Sequence, residues 1–246
     1  MIEEFQTIVS ATGQRERRAT VYLPKGYDGK TRFPVLYMFD GQTAFFDERA
    51  PYGDSWRMGE ALDKLGAGLI VAAADCDEKE RLTEYSPFPF EKGGFRSEGR
   101  GAEYLDWLVN EFKPTIDEKY RTLPARESTF LAGSSMGGLM TVFALCRRAD
   151  VFAGGAALSP SFWVAPEKSE EMIRSAALKG ATLYLDYGEK ELPGRGAAQG
   201  KALSACLAAL IERKVELTFR LIKGGAHNEV SWRKQIPAFL SALHLI

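Results

Sequence analysis

The sequence predicts an α/β protein built on a mostly parallel, twisted sheet with helices on both faces. Short apolar runs alternate along the chain with longer amphipathic ones, the order expected of strands and crossover helices. The strand candidates are continuous apolar runs, as strands buried on both faces must be. The 246 residues, 45% hydrophobic and 26% charged, suffice to bury a sizeable core. One domain spanning residues 1–246 is the economical reading.

Residues 20–24 (TVYLP) and 33–40 (FPVLYMFD) read as the first two strands. The turn between them, over 25–31, carries Gly26, Asp28 and Gly29, and the two strands are expected to pair as neighbours. Five more strands follow at 68–75, 128–134, 154–159, 181–188 and 215–223. Helices are expected at 55–65, 101–120, 137–148, 167–178, 200–214 and 230–243. The stretch 78–100 has neither periodicity. Its Tyr85, Pro87, Phe88, Pro89, Phe90, Gly93, Gly94 and Phe95 mark a loop insertion, expected to form a pocket wall.

Composition removes several functional classes. Lys and Arg total 32 against 33 Asp and Glu, a net charge of -1, so no charge excess recruits a polyanion and nucleic acid is not an expected partner. Cys76, Cys146 and Cys206 lie far apart with no CxxC pair, which disfavours both a disulfide framework and a thiolate zinc site. The first 18 residues lack a signal-peptide pattern, and no apolar stretch reaches the length of a membrane span. The expectation is a cytoplasmic protein acting on a small molecule, with no membrane partner and no indication of oligomeric state.

The chemistry concentrates at Gly133-Ser134-Ser135-Met136-Gly137, a GxSxG pattern that follows an apolar strand and opens an apolar helix. That context is a nucleophile elbow: a serine on a sharp strand-to-helix turn tolerates only small residues two before and two after it. Ser135 has glycines at both offsets, whereas Ser134 does not. The Met136 backbone N–H, at the helix start, would face an oxyanion. The general base must come from His227 or His244, the two histidines of the chain. His227, in GGAHNE after the last strand, is the stronger candidate. The acid should follow the strand 181–188. Glu191 is the first choice, with Asp186 and Glu189 as alternatives. A second oxyanion donor is expected at Gln42 in Asp40-Gly41-Gln42-Thr43, the plain alternative being a left-handed turn at Gly41. The order serine, acid, histidine is that of the α/β-hydrolases.

These residues resemble the putative esterase family of the α/β-hydrolase fold, which includes esterase D, ferric-siderophore esterases, feruloyl and acetyl carbohydrate esterases and mycolyl transferases. The resemblance runs through VLYMFDGQTAFF (35–46), EYSPF (84–88), GRGAEYLDWLVNEFKPTID (99–117), YRTLPAR (120–126), AGSSMGG (132–138), LSPSFW (158–163), LDYGEKE (185–191) and GGAHNEVSW (224–232). It implies Ser135 as nucleophile, His227 as base, an acid at Glu191, backbone oxyanion donors at Gln42 and Met136, and a pocket aromatic at Trp163. Tyr85 and Phe95 are expected to join Trp163 in binding substrate.

The expected function is a serine carboxylic-ester hydrolase acting on small acyl or aromatic (feruloyl, acetyl) esters of sugars or similar alcohols, with no cofactor or metal. Three rivals stand beside it. One is an enterobactin-type siderophore esterase, with Lys92, Arg96, Arg100, Lys190 and Arg195 receiving an anionic ligand. The others are an acyltransferase and a catalytically silent binding protein.

Overall fold

A computed structural model describes residues 1–191 and 196–246; Arg195 lies outside them. The strands are β1 (Ile2–Val9), β2 (Arg15–Tyr22), β3 (Val35–Met38), β4 (Ile70–Ala74), β5 (Phe90–Lys92), β6 (Phe95–Ser97), β7 (Thr129–Ser134), β8 (Gly154–Leu158), β9 (Thr182–Gly188) and β10 (Glu216–Ile222). The helices are α1 (Gly41–Ala44), α2 (Met58–Leu65), α3 (Arg81–Glu84), α4 (Gly101–Trp107), α5 (Lys113–Lys119), α6 (Met136–Arg147), α7 (Pro166–Ser175), α8 (Gly196–Glu212), α9 (Glu229–Arg233) and α10 (Ile236–Ala242).

Among the described residues, eight strands form one sheet in the order β1-β2-β4-β3-β7-β8-β9-β10. From β4 to β10 every neighbouring pair is parallel, while β1 and β2 add an antiparallel edge. Alternate residues of one strand enter opposite cores, as the pleat requires. Leu183 and Leu185 of β9 pack on one face with Leu131 and Leu139. Tyr184 between them packs on the other with Trp232 and Phe239. The fold is the mostly parallel α/β arrangement expected from the sequence.

Four details depart from expectation. The strand at 15–22 pairs with β4, not with β3, so β3 reaches the sheet one position further in. The edge strand β1 was not expected; Ile2, Phe5, Thr7 and Val9 turn at least partly toward the protein, while Glu3, Glu4, Gln6 and Ile8 are exposed. The helix at 230–243 is two helices, because Pro237 lacks the N–H that would continue α9. The stretch 78–100 is not structureless: it forms α3 and the β5–β6 hairpin. Under it, Glu84 is fully buried and receives Arg17 through two hydrogen bonds, at 2.9 and 3.2 Å, with Thr12 as a third partner. Arg17 belongs to the basic run that opens β2, which explains why a charged segment sits inside a strand.

Candidate active site

Four adjacent parallel strands each end in one component of the site. Ser135 follows β7, Ser159 and Ser161 follow β8, Glu191 follows β9, and His227 follows β10. This is the carboxyl edge of the sheet, where ligands of open α/β folds collect.

Ser135 sits at φ +58°, ψ −117°, a conformation that costs a non-glycine residue about 1–3 kcal/mol. Its surroundings enforce it: the Ser135 N–H donates to the Leu158 carbonyl at 2.9 Å, and the Ser135 carbonyl accepts from Ser161 and Leu139. The flanking glycines are needed for space. A Cβ on Gly133 would stand 2.6 Å from the Gly137 carbonyl carbon, and one on Gly137 would stand 3.0 Å from Phe39 Cβ.

From Ser135 a hydrogen-bonded path runs inward. His227 Nε2 lies 2.9 Å from Ser135 Oγ, and His227 Nδ1 lies 2.7 Å from Glu191 Oε2. An ionised carboxylate only accepts, so Nδ1 carries the proton and Nε2 is left to accept from the serine hydroxyl. The other oxygen of Glu191 accepts from Ser159 Oγ and from the Gly188 N–H, both at 2.7 Å. Ser159 Oγ in turn accepts from Trp232 Nε1 at 3.0 Å. Burial works to raise the Glu191 pKa, but bonds from His227, Ser159 and Gly188 outweigh it and hold the group below the ordinary glutamate value.

The alternatives lie elsewhere. Asp186 is buried and accepts from Tyr184 Oη at 2.9 Å; burial, reinforced by the nearby Glu191, pushes its pKa up to about 7. Glu189 accepts from the Gly224 N–H at 2.8 Å and so braces the loop that carries His227. His244 pairs with Glu216 at the exposed edge of the sheet.

Met136 is the first residue of α6 and Gln42 the second of α1, so neither backbone N–H has an intrahelical acceptor. The Gln42 side chain is occupied: Oε1 accepts from the Cys76 N–H at 3.0 Å, and Nε2 donates to Cys76 Sγ at 3.1 Å. The positive φ that the plain alternative assigned to Gly41 falls on Asp40, at +62°. Gly41 is required instead for close approach, since a Cβ there would meet the Ala74 carbonyl carbon at 2.6 Å.

A cavity of about 710 Å³ opens beside Ser135 and His227. Gln42, Arg81, Glu229 and Trp232 help line it. Arg81 grips Asp40 through Nε and Nη2 at 2.6 and 2.8 Å. The aromatic residues expected here are placed differently. Tyr85 is fully buried between Phe39 and Tyr104, and its hydroxyl accepts from the Asp40 N–H, so it braces the loop before Gln42 and has no surface to offer a substrate. Trp163 follows Ser161 by two residues and meets Phe90 and Phe95, with ring centroids 6.5 and 6.3 Å away; neither Trp163 nor Phe95 lines this cavity. Lys92, Arg96, Arg100 and Lys190 are absent from its lining too, and Lys92 donates to the Trp163 carbonyl.

Sequence reasoning missed Ser159, Ser161, Trp232 and Glu229. Ser161 Oγ lies 3.3 Å from Ser135 Oγ. All four sit in LSPSFW or GGAHNEVSW, yet a serine or tryptophan within such a block carries no mark of its direction. Among the described residues, no group of three or more His, Cys, Asp or Glu is arranged to hold a metal ion. No helix among them is long and apolar enough to cross a membrane.

Comparison with known proteins completes the description. The profile of the family described as "Putative esterase" matches residues 10–243. The chain is 28% identical over 181 residues to "Uncharacterized protein YbbA" of Bacillus subtilis (strain 168), covering 71% of this chain and 69% of that one. It is 26% identical over 243 residues to "Endo-1,4-beta-xylanase/feruloyl esterase" of Xylanibacter ruminicola, covering 96% of this chain but 30% of the relative's length. The solved structure of a ferulic acid esterase superposes with a TM-score of 0.76 at 20% identity, covering 100% of this chain and 99% of that one, a likeness of fold.

Proposed function

The chain belongs to this esterase family, and on that premise we propose that it is a serine carboxylic-ester hydrolase working through an acyl-enzyme. The observation that carries the reading is the unbroken path from Ser135 Oγ through His227 to Glu191, with contacts of 2.9 and 2.7 Å. Ser135 attacks the ester carbonyl as His227 Nε2 takes its proton, and the backbone N–H groups of Met136 and Gln42 receive the developing oxyanion. His227 then protonates the departing alcohol, and water attacks the acyl-serine through the same histidine. Glu191 holds the Nδ1–H tautomer and stabilises the imidazolium that forms.

The substrates proposed are acetyl, feruloyl or similarly small acyl esters of sugars or related alcohols, all handled within one domain. A feruloyl ring would rest on Trp163 and Phe95, beyond Ser161. The siderophore reading has less support, because a polyanionic ligand would meet carboxylates in the cavity rather than the expected basic side chains.

The test is covalent. A fluorophosphonate should label Ser135 and not Ser134, and Ser135→Ala should lower kcat by about 10⁶ with the fold intact by circular dichroism. Labelling at Ser134 rejects the assignment of Ser135 as nucleophile, and absence of labelling rejects the mechanism and favours a binding protein.

A further inference from the structure

The cavity beside Ser135 carries more negative charge than acyl transfer requires. Asp40, Asp54, Glu78 and Glu229 line it against one guanidinium, Arg81. Arg81 is already committed, since its fork occupies both oxygens of Asp40. Asp54 meets Arg233 at 3.3 Å with 43% of its side chain exposed, so that pair is weak. Glu78 is exposed, with no ion pair among the described residues.

Glu229 is the informative member. It is 9% exposed, stands two residues beyond His227, and forms no salt bridge among the described residues; its own backbone N–H and the charges of His227 and Arg81 favour its ionised form, while burial and Asp40 oppose it. Burying a carboxyl without a salt bridge is costly, and those contacts do not offset it: its pKa is raised, first by burial. A cation entering the cavity would relieve that cost. Tyr52, 86% exposed, also lines the cavity, and an aromatic ring is a group that attracts a cation.

The direction of the substrate follows from the base. His227, which must reach the leaving oxygen, lines this cavity with Ser135 and Gln42, whereas Ser161 and Trp163 do not, and the alcohol half of the ester is assigned to it on that ground.

We propose that the cavity receives an ammonium group on the leaving alcohol, so that the preferred esters are those of amino alcohols or amino sugars and anionic alcohols are rejected. The proposal rests on the serine-hydrolase reading and adds the charge of its substrate.

The experiment compares acetylcholine, its uncharged isostere 3,3-dimethylbutyl acetate, and 3-sulfopropyl acetate. Hydrolysis is followed by pH-stat, and binding to Ser135→Ala by calorimetry. The expected result is a kcat/KM about ten-fold higher for the cationic ester than for the neutral one, lowest for the anionic one, and shrinking as salt screens the cavity. Glu229→Gln and Glu78→Gln should each lower the cationic-to-neutral ratio several-fold. Glu78 is exposed, so its variant keeps the test informative should Glu229→Gln fail to fold. Equal rates for the cationic and neutral esters, a ratio untouched by the substitutions, or preferred turnover of a neutral sugar acetate would overturn the proposal. Cation-selective binding to Ser135→Ala without hydrolysis of any ester by the native protein would uphold the cavity assignment and reject the hydrolase reading.

Discussion

Glu191 and Glu229 both interact with His227, are 8% and 9% exposed, and have their pKa values moved in opposite directions. Burial raises the proton affinity of both; partners make the difference. Glu191 has His227, Ser159 and the Gly188 N–H, and is held below the ordinary glutamate value. Glu229 has its own N–H and the charges of His227 and Arg81, too little to offset burial, and is raised. At Glu191 a closed network fixes one geometry. At Glu229 a carboxyl that lines the cavity without a salt bridge is open to a ligand.

The strongest way to break this comparison is Glu191→Gln. The amide cannot hold the imidazolium or its tautomer, so kcat should fall by about 10⁴ while KM changes little, whereas Glu229→Gln should act on selectivity. Equal kcat losses in the two variants, measured on one neutral nitrophenyl ester, would erase the distinction. Ser159→Ala removes a donor from Glu191 and the acceptor of Trp232 Nε1, both buried. A stability loss of about 1–3 kcal/mol by urea denaturation is expected, with a smaller kcat effect than Glu191→Gln.

Phe95→Ala tests the aromatic side. It should change the ratio of kcat/KM for feruloyl over acetyl esters by about three-fold and leave the cationic-to-neutral ratio alone. The smallest effect concerns Asp186, whose pKa is raised to about 7. Between the unfolded aspartate value of about 3.9 and that folded value the native state binds the extra proton, so this group's stabilising contribution is full at low pH and declines as pH rises through 7. Asp186→Asn should flatten that decline in a series of Tm measurements from pH 4 to 8; an unchanged slope would remove the assignment.

The elbow was legible because its requirements are local: glycines at two fixed offsets, an apolar strand before and an apolar helix after. The candidate base was narrowed by scarcity, as the chain has two histidines. Three carboxylates between residues 186 and 191 left the acid open, and the structure separates them by direction: Asp186 toward Tyr184, Glu189 toward Gly224, Glu191 toward His227. Sheet order was less legible, because the pairing of β2 with β4 depends on a crossover that no residue in either strand encodes. Tyr85 misled because an aromatic residue in a Pro/Gly-rich run gives no sign of which way its ring turns; Phe39 and Tyr104 take it inward.

The hydrogen-bonded path from Ser135 to Glu191 also has a bearing on how the chain would acquire the proposed activity. Its two contacts join residues 92 and 36 positions apart, and its parts hang from β7, β8, β9 and β10, four neighbours in the sheet. Contacts this distant in sequence are paid for in loop-closure entropy before they return anything, so they close late. During refolding, helical signal should recover before a fluorophosphonate can react with Ser135, and that reaction then times the docking of the last strand.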